Sequence, residues 1–318
     1  MKKHLITGIT GQDGLFLVKK ILEEEDTPLI FGISREVEGI NFYKNLKRLE
    51  IENIENIKLF NLNLNNSLDT SSFIKEYSPD NVYNLTGPSS PYESIKNPKK
   101  YIQIETIFDN LTDALIENKH FANFYQASSS EMFENSDRSK LNEISAFNPK
   151  SPYAKSKFRN HLKVLELRRQ FDWNIYSGIM FNHESEFRKE KYLFKKVINS
   201  ALKIRDKQIE KLEVGSLDYV RDWSFAGDIS EAIYKITNYG KSASYVIGSG
   251  NENSIGDLIS IVFEYFNLDI EKKVNVNQTI LRKGDPDYIV SDPSKIKNEL
   301  DWETSLSFNE TVLRCIEL

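Results

Sequence analysis

Tyr153 and Lys157 stand four residues apart in Ser151-Pro152-Tyr153-Ala154-Lys155-Ser156-Lys157. Ser151 suits a helix N-cap and Pro152 the first helical position, which puts the phenol and the ammonium on one helix face. A phenol ionises near pH ~10, too high for a base at neutrality. A neighbouring ammonium favours the phenolate and is expected to lower that pKa. The pair is then a base for a hydroxyl group undergoing oxidation. Taken alone, Tyr-x-x-x-Lys is more often a chance surface pair; it gains weight from following a glycine-rich turn by about 140 residues, after the fifth predicted strand. Upstream lies Phe124-Tyr125-Gln126-Ala127-Ser128-Ser129-Ser130-Glu131. Ser129 is placed to hydrogen-bond a reacting oxygen and Glu131 to handle a proton, although the same string also reads as a serine-rich loop with an exposed acid.

A second group of residues concerns an anion. His4-Leu5-Ile6-Thr7-Gly8-Ile9-Thr10-Gly11-Gln12-Asp13-Gly14 reads as a strand, a tight turn and a helix start with G-x-x-G-x-x-G spacing. Glycine admits positive φ and removes a Cβ that would block a pyrophosphate, and the helix N-terminus turns free N–H groups toward it. After the second apolar run, Gly32-Ile33-Ser34-Arg35 carries an arginine where an acid would bind the ribose of NAD. The arginine matches a 2′-phosphate, which favours NADP and leaves NAD as the alternative, since Glu36 is adjacent. Asn63-Leu64 follows the third run, where such folds contact adenine.

These side chains need a scaffold that brings strand ends together. Apolar runs at His4–Thr7, Leu29–Ser34, Ile57–Asn61, Asn81–Asn84, Asn123–Ala127 and Asn174–Gly178 predict strands. Amphipathic segments near Asp13–Glu25, Leu68–Tyr77, Pro98–Asn118 and Pro152–Phe171 predict helices. The alternation implies an α/β fold with a Rossmann-like, doubly wound parallel sheet. Residues 1–180 are expected to form this dinucleotide-binding domain, with some later segments returning to it. Residues 181–318 are expected to form a smaller C-terminal α/β substrate lobe. It would contain helices at Lys189–Arg205, Asp257–Phe266 and Ser294–Glu299, and strands at Leu212–Val214 and Ser244–Ile247.

Composition narrows the function classes. A net charge of −5 offers no basic excess for a nucleic-acid backbone. No run of about 18 apolar residues is present, so no membrane span is expected. The single cysteine, Cys315, excludes an intramolecular disulfide and suits a reducing cytoplasm. The four histidines show no ligand spacing, so no metal is expected.

Taken together these strings resemble the extended short-chain dehydrogenase/reductases, and within them the GDP-mannose 4,6-dehydratase family. The specific pieces are Gly11-Gln12-Asp13-Gly14, the Tyr125 to Glu131 string, Ser151-Pro152-Tyr153, Phe181-Asn182-His183-Glu184-Ser185 and Arg221-Asp222-Trp223. The resemblance implies a catalytic set of Ser129 (in place of a threonine), Glu131, Tyr153 and Lys157. It implies dinucleotide contacts from Gly8, Thr10, Gly11, Gln12, Asp13 and Gly14, and from Arg35, Asn63 and Leu64. Leu85, Ser89, Tyr101, Tyr153, Lys157, His183 and Arg188 complete that group. Ser130, Glu131, Asn182, Lys195, Arg221 and Arg282 are expected at the sugar nucleotide.

The chain also departs from the family. The loop after the fourth strand is Gly87-Pro88-Ser89-Ser90, the run in the lobe is Phe194-Lys195-Lys196, and a later stretch reads Arg282-Lys283-Gly284-Asp285-Pro286-Asp287. The expected reaction is a dehydration by internal hydride transfer, giving a 4-keto-6-deoxy sugar nucleotide and regenerating NADP⁺. An epimerase or keto-reductase would need Tyr153 and Lys157 but not Glu131. A nucleotide-binding protein without catalysis would need none of the three. A homodimer or higher homo-oligomer is expected by analogy.

Overall fold

The computed structural model describes residues 1–34, 39–133, 138–281 and 284–317. Six strands and six helices alternate through the first half. They run β1 (Lys3–Thr7), α1 (Gln12–Glu24), β2 (Leu29–Ile33), α2 (Ile40–Arg48), β3 (Ile57–Phe60) and α3 (Ser67–Tyr77). Then come β4 (Asn81–Asn84), α4 (Pro91–Lys96), α5 (Gln103–Glu117), β5 (Asn123–Ser129), α6 (Pro152–Phe171) and β6 (Ile175–Met180). A seventh strand, Ser244–Ile247, joins them in one sheet of order Ser244–Ile247, β6, β5, β4, β1, β2, β3, with all pairs parallel.

Helices cover both faces, so the strands are buried on both sides and their apolar runs are nearly continuous. On one face α1, α2 and the helix Ala226–Tyr239 pack through Phe16, Leu17, Ile21, Phe42, Ile229 and Ile233. On the other, α3, α5 and α6 pack through Phe73, Phe108, Leu111, Val164 and Leu167. The strand order reverses between β1 and β4, and ligand crevices open at such a switch point.

Ser244–Ile247, expected in the smaller lobe, belongs to the main sheet. Its Tyr245, Val246 and Ile247 are wholly buried. Helix Ala226–Tyr239 packs on α1 and carries the chain back from the lobe to the open side of β6. The segment expected as one helix near Pro98–Asn118 is divided into a 3₁₀ turn, Pro98–Tyr101, and α5. α2 and α4 are elements the hydrophobic pattern does not announce. Ser90 caps α4, and its Pro91 takes the first helical position.

The remaining strands are short. Asn182–Glu184 pairs in parallel with Trp223–Phe225, and Val220–Arg221 lies between Asn253–Ser254 and Tyr288–Ile289. Leu212–Val214 pairs with Val274–Val276. Helices Leu193–Arg205, Ile255–Tyr265 and Phe308–Glu317 close a separate core around Phe194, Trp223, Phe263 and Cys315. No helix among the described residues is long and apolar enough to cross a membrane.

Candidate active site

The glycine turn is built for a close approach. Gly8 has φ +72°, and a Cβ there would sit 3.2 Å from the Leu85 backbone. A Cβ on Gly14 would lie 2.5 Å from the Ile9 carbonyl oxygen, so α1 can pack this tightly on the turn only with glycine. Gly11 is the N-cap of α1 and places no side chain over its first N–H groups. No capping side chain competes for these groups, as a phosphate-binding helix end requires.

Gln12 and Asp13 tie this turn to the strand Asn182–Glu184. Gln12 Nε2 donates to the His183 carbonyl at 2.9 Å, and its Oε1 accepts from Ser185 Oγ at 3.0 Å. His183 Nδ1 lies 2.7 Å from the Phe181 carbonyl and Nε2 lies 3.0 Å from Asp13 Oδ1. Both partners accept from the ring, so both ring nitrogens carry hydrogen and His183 is an imidazolium. Burial works against each charge, yet the pairing wins. Asp13 stays below the ordinary aspartate value and His183 rises above the ordinary histidine value.

Tyr153 and Lys157 come from the first turns of α6, which starts as its sequence predicts. Ser151 Oγ accepts from the Ala154 N–H at 3.1 Å and Pro152 occupies the first helical position. Lys157 Nζ donates to the Ala127 carbonyl at 2.7 Å and stands 5.8 Å from the centre of the Tyr153 ring. The Ser129 hydroxyl, at the end of β5, hydrogen-bonds to Tyr153. A 3₁₀ turn, Ser130–Met132, then carries half-buried Glu131, whose N–H donates to Ser129 Oγ at 3.3 Å. The Glu131 charge acts on the Tyr153 phenol. The four expected catalytic side chains thus stand around one strand end, with Ser130 buried beside them.

The electrostatics differ from the sequence expectation. Burial is the largest influence on Tyr153 and, with the Glu131 charge, pushes its phenol above the ordinary value despite the Ser129 hydrogen bond. Burial also pulls Lys157 down to about 8, opposed by the Asp13 carboxylate. The lysine therefore does not make a phenolate of Tyr153 in the free protein. Desolvation of both groups outweighs their attraction, and the ammonium is turned to a backbone carbonyl.

The remaining expected residues are spread around the crevice. Tyr101 is fully buried, with its hydroxyl donating to the Ser90 carbonyl at 2.7 Å and its ring edge-on to Tyr153 at 6.2 Å. It holds the loop and the Tyr153 ring, its hydroxyl hydrogen spent on the Ser90 carbonyl. Asn63 Oδ1 accepts from the Asn65 N–H at 3.2 Å and orders the turn before α3, while Leu64 packs into the core. Thr10 and Leu85 are half-buried at the turn. Arg188 pairs with Glu184 at 3.0 Å, and its guanidinium lies 3.8 Å over the Tyr192 ring. Asn182 opens the strand beside Trp223.

The Lys195 ammonium donates to the Cys315 carbonyl at 3.1 Å, which binds it to the last helix. Arg221 is held 3.5 Å from Asp285. Arg35 and Arg282 lie outside the described residues. No group of three or more metal-ligating side chains occurs among the described residues.

Two further residues matter at the site: Tyr192, which carries no sequence signal of its own, and Asp222, which lies in the Arg221-Asp222-Trp223 string but draws no role from it. Tyr192 hydrogen-bonds to Ser89 Oγ at 2.6 Å, joining the segment after Arg188 to the loop after β4. Asp222, 1% exposed, accepts from the N–H groups of Ser249, Gly250 and Ser291, and so fixes the strand that carries Arg221.

A family profile described as GDP-mannose 4,6 dehydratase matches residues 5–315. The chain is 29% identical to GDP-mannose 4,6 dehydratase 1 of Arabidopsis thaliana, over 99% of this chain and 89% of that protein. It is 29% identical to GDP-mannose 4,6 dehydratase of Homo sapiens, over 97% of this chain and 88% of that protein. Among solved structures, dTDP-glucose 4,6-dehydratase from Bacillus anthracis in complex with NAD superposes with a TM-score of 0.84 at 19% identity, covering 100% of this chain and 96% of that one. RMD from Pseudomonas aeruginosa complexed with NADPH gives a TM-score of 0.79 at 18% identity, covering 99% and 98%. The structural matches establish a shared fold with enzymes that hold a nicotinamide dinucleotide. The profile, spanning nearly every residue from the glycine turn to the last helix, establishes more: this chain belongs to the GDP-mannose 4,6-dehydratase family.

Proposed function

We propose that this sugar-nucleotide 4,6-dehydratase acts on a GDP-mannose-like substrate with NADP, NAD being the alternative. We further propose that Ser129, Glu131, Tyr153 and Lys157 divide the proton transfers. The dinucleotide, when bound, supplies reversible hydride storage, so the reaction needs no outside oxidant. The Gly8, Gly11 and Gly14 turn would hold its phosphates. A Cβ on Gly8 would press on the Leu85 and Thr86 backbone, and one on Gly11 or Gly14 on the turn's own carbonyl oxygens, so the turn keeps this close form only with glycine. The NADP preference rests on Arg35 standing where an acid would favour NAD.

Tyr153 is a neutral phenol in the free protein and must first give up its own proton in the substrate complex. As the phenolate it takes the proton of the C4 hydroxyl, with Ser129 beside it and Lys157 contributing positive charge alongside. The ketone formed at C4 acidifies C5–H. Glu131 accepts the C5 proton and returns it to the C6 hydroxyl, which departs as water. Loss of water leaves a C5–C6 double bond. The hydride removed from C4 would return at C6 and the proton taken from the C4 hydroxyl would end at C5, so the product is a 4-keto-6-deoxy sugar nucleotide.

The observation that carries this reading is Glu131 beside the Ser129–Tyr153 pair. An epimerase needs the tyrosine and lysine but no acid at that point. Incubation with GDP-mannose and no reductant is expected to give a ketone lighter by one water. An isomer of unchanged mass would favour an epimerase. Glu131→Gln is expected to abolish water loss while retaining dinucleotide binding, and full activity in that variant would refute the role. The assembly we expect is a homodimer or higher homo-oligomer, and a monomer in sedimentation velocity would overturn it.

A further inference from the structure

The rim of the crevice carries a hydroxyl pair in which the family resemblance assigns Ser89 to the dinucleotide side and gives Tyr192 no role. Tyr192 OH and Ser89 Oγ are 2.6 Å apart, although 103 residues separate them in sequence. One comes from the segment leading into helix Leu193–Arg205 and the other from the loop after β4, so the pair joins the two sides of the crevice. The Tyr192 ring is held in place by the Arg188 guanidinium 3.8 Å above it. Next to it, Lys191 pairs with Glu93 of α4 at 2.8 Å. Ser90, the neighbour of Ser89, accepts from the Tyr101 hydroxyl at 2.7 Å, and the Tyr101 ring stands edge-on to Tyr153 at 6.2 Å, so the loop that carries the pair borders Tyr153.

We propose that Tyr192 is a specificity-determining residue, and that its hydroxyl with that of Ser89 reads a hydroxyl of the hexose. The proposal rests on the sugar-nucleotide reading above and deepens it. In a hydrogen-bonded pair of hydroxyls one O–H donates to the other oxygen, and the second hydroxyl keeps its hydrogen free. Such a pair offers both a donor and lone pairs, as a sugar hydroxyl requires. It is pre-positioned by the stacked guanidinium, so little ordering remains for binding. Ser89 lies within the departure Gly87-Pro88-Ser89-Ser90 from the family loop, so the pair stands where this chain's sugar preference is free to differ.

The test separates recognition of the hexose from a purely structural strap. Calorimetry measures the affinities of GDP-mannose and of GDP for the full-length protein with its dinucleotide. Tyr192→Phe keeps the ring and its guanidinium contact and removes only the hydroxyl. It is expected to weaken GDP-mannose about fivefold to tenfold and leave GDP unchanged. Ser89→Ala should lose about as much, Ser89→Thr should recover most of it, and the double variant should be no weaker than the weaker single one. Equal weakening of GDP and GDP-mannose, or additive losses, would overturn the proposal in favour of a strap. Unchanged affinity in both single variants would overturn it outright. Failure of the unaltered protein to bind any GDP-, UDP-, CDP- or dTDP-hexose would instead overturn the functional reading, and this proposal with it.

Discussion

Asp13 and His183 face each other at 3.0 Å across 170 residues of sequence, one on the first turn of the helix behind the glycine turn and the other on the strand Asn182–Glu184. Both are charged. The pair fastens the dinucleotide side of the crevice to the strand leading into Arg188 and Tyr192.

That pairing fixes a pH dependence. The folded pKa of His183 is raised, so its contribution is complete below its unfolded value of 6.5 and is lost as pH rises through the folded value. The folded pKa of Asp13 is lowered, so its contribution is complete above 3.8 and is lost as pH falls through the folded value. The two conditions overlap between pH 3.8 and 6.5. His183→Gln is expected to lose about 1–3 kcal/mol of stability there. Denaturant unfolding at pH 6 and pH 9 checks this: the deficit should shrink at the higher pH, and a deficit equal at both would count against the charged pair.

Lys157 is expected to cost stability while serving catalysis. Burial pulls it down to about 8, so at neutral pH the fold carries an ammonium that would be better solvated in the unfolded chain. Lys157→Met is expected to raise stability by about 1–2 kcal/mol at pH 7, offset in part by the lost bond to the Ala127 carbonyl. Turnover should fall by about a hundredfold or more. In the unaltered protein the cost falls as pH rises through about 8, so the stability gap between the two should narrow by pH 9. Thermal melts at both pH values decide it.

Tyr153 is held protonated by burial and by Glu131 in the free protein. Absorbance at the tyrosinate band should therefore show no ionisation from this residue below its ordinary value of 10, read as the difference between the unaltered protein and Tyr153→Phe. The same variant keeps the edge-on contact with Tyr101, so it should fold normally. It should lose about 10²- to 10⁴-fold in turnover. A tyrosinate signal near neutrality would show that the ammonium outweighs desolvation after all.

Local chemistry was readable wherever it dictates local backbone. The Ser151 cap and Pro152 announce α6, and Tyr153 and Lys157 lie on it as their spacing requires. The Gly8, Gly11 and Gly14 turn likewise follows from its residues. What could not be read depends on partners distant in sequence. Ser244–Ile247 has the same apolar composition whether it edges a lobe or a central sheet, and its place is set by the return of helix Ala226–Tyr239. Lys195 looks like a free cation until the Cys315 carbonyl is found beside it. The Tyr153 pKa is governed by burial, which no spacing rule reports.

Tyr125 allows a prediction of increased stability. Its ring is fully buried on β5, and its hydroxyl has no hydrogen-bond partner among the described residues. Burial pushes its pKa far above the ordinary value, with the Asp13 charge adding to the shift. Gly178 on β6 makes room for it: a Cβ there would fall 1.8 Å from the phenolic oxygen. An orphaned hydroxyl gives up its hydrogen bonds with water and gains none in return. Tyr125→Phe is therefore expected to stabilise the protein by about 1 kcal/mol, with turnover kept because the variant leaves Ser129 and Glu131 in place. Gly178→Ala should destabilise by about 1–3 kcal/mol, because the ring must move. Combined with Tyr125→Phe the loss should be smaller, since the oxygen nearest the new methyl group is gone. Denaturant melts of the two single variants and the double one measure the coupling. Strict additivity would mean that the phenol and the glycine do not share that space.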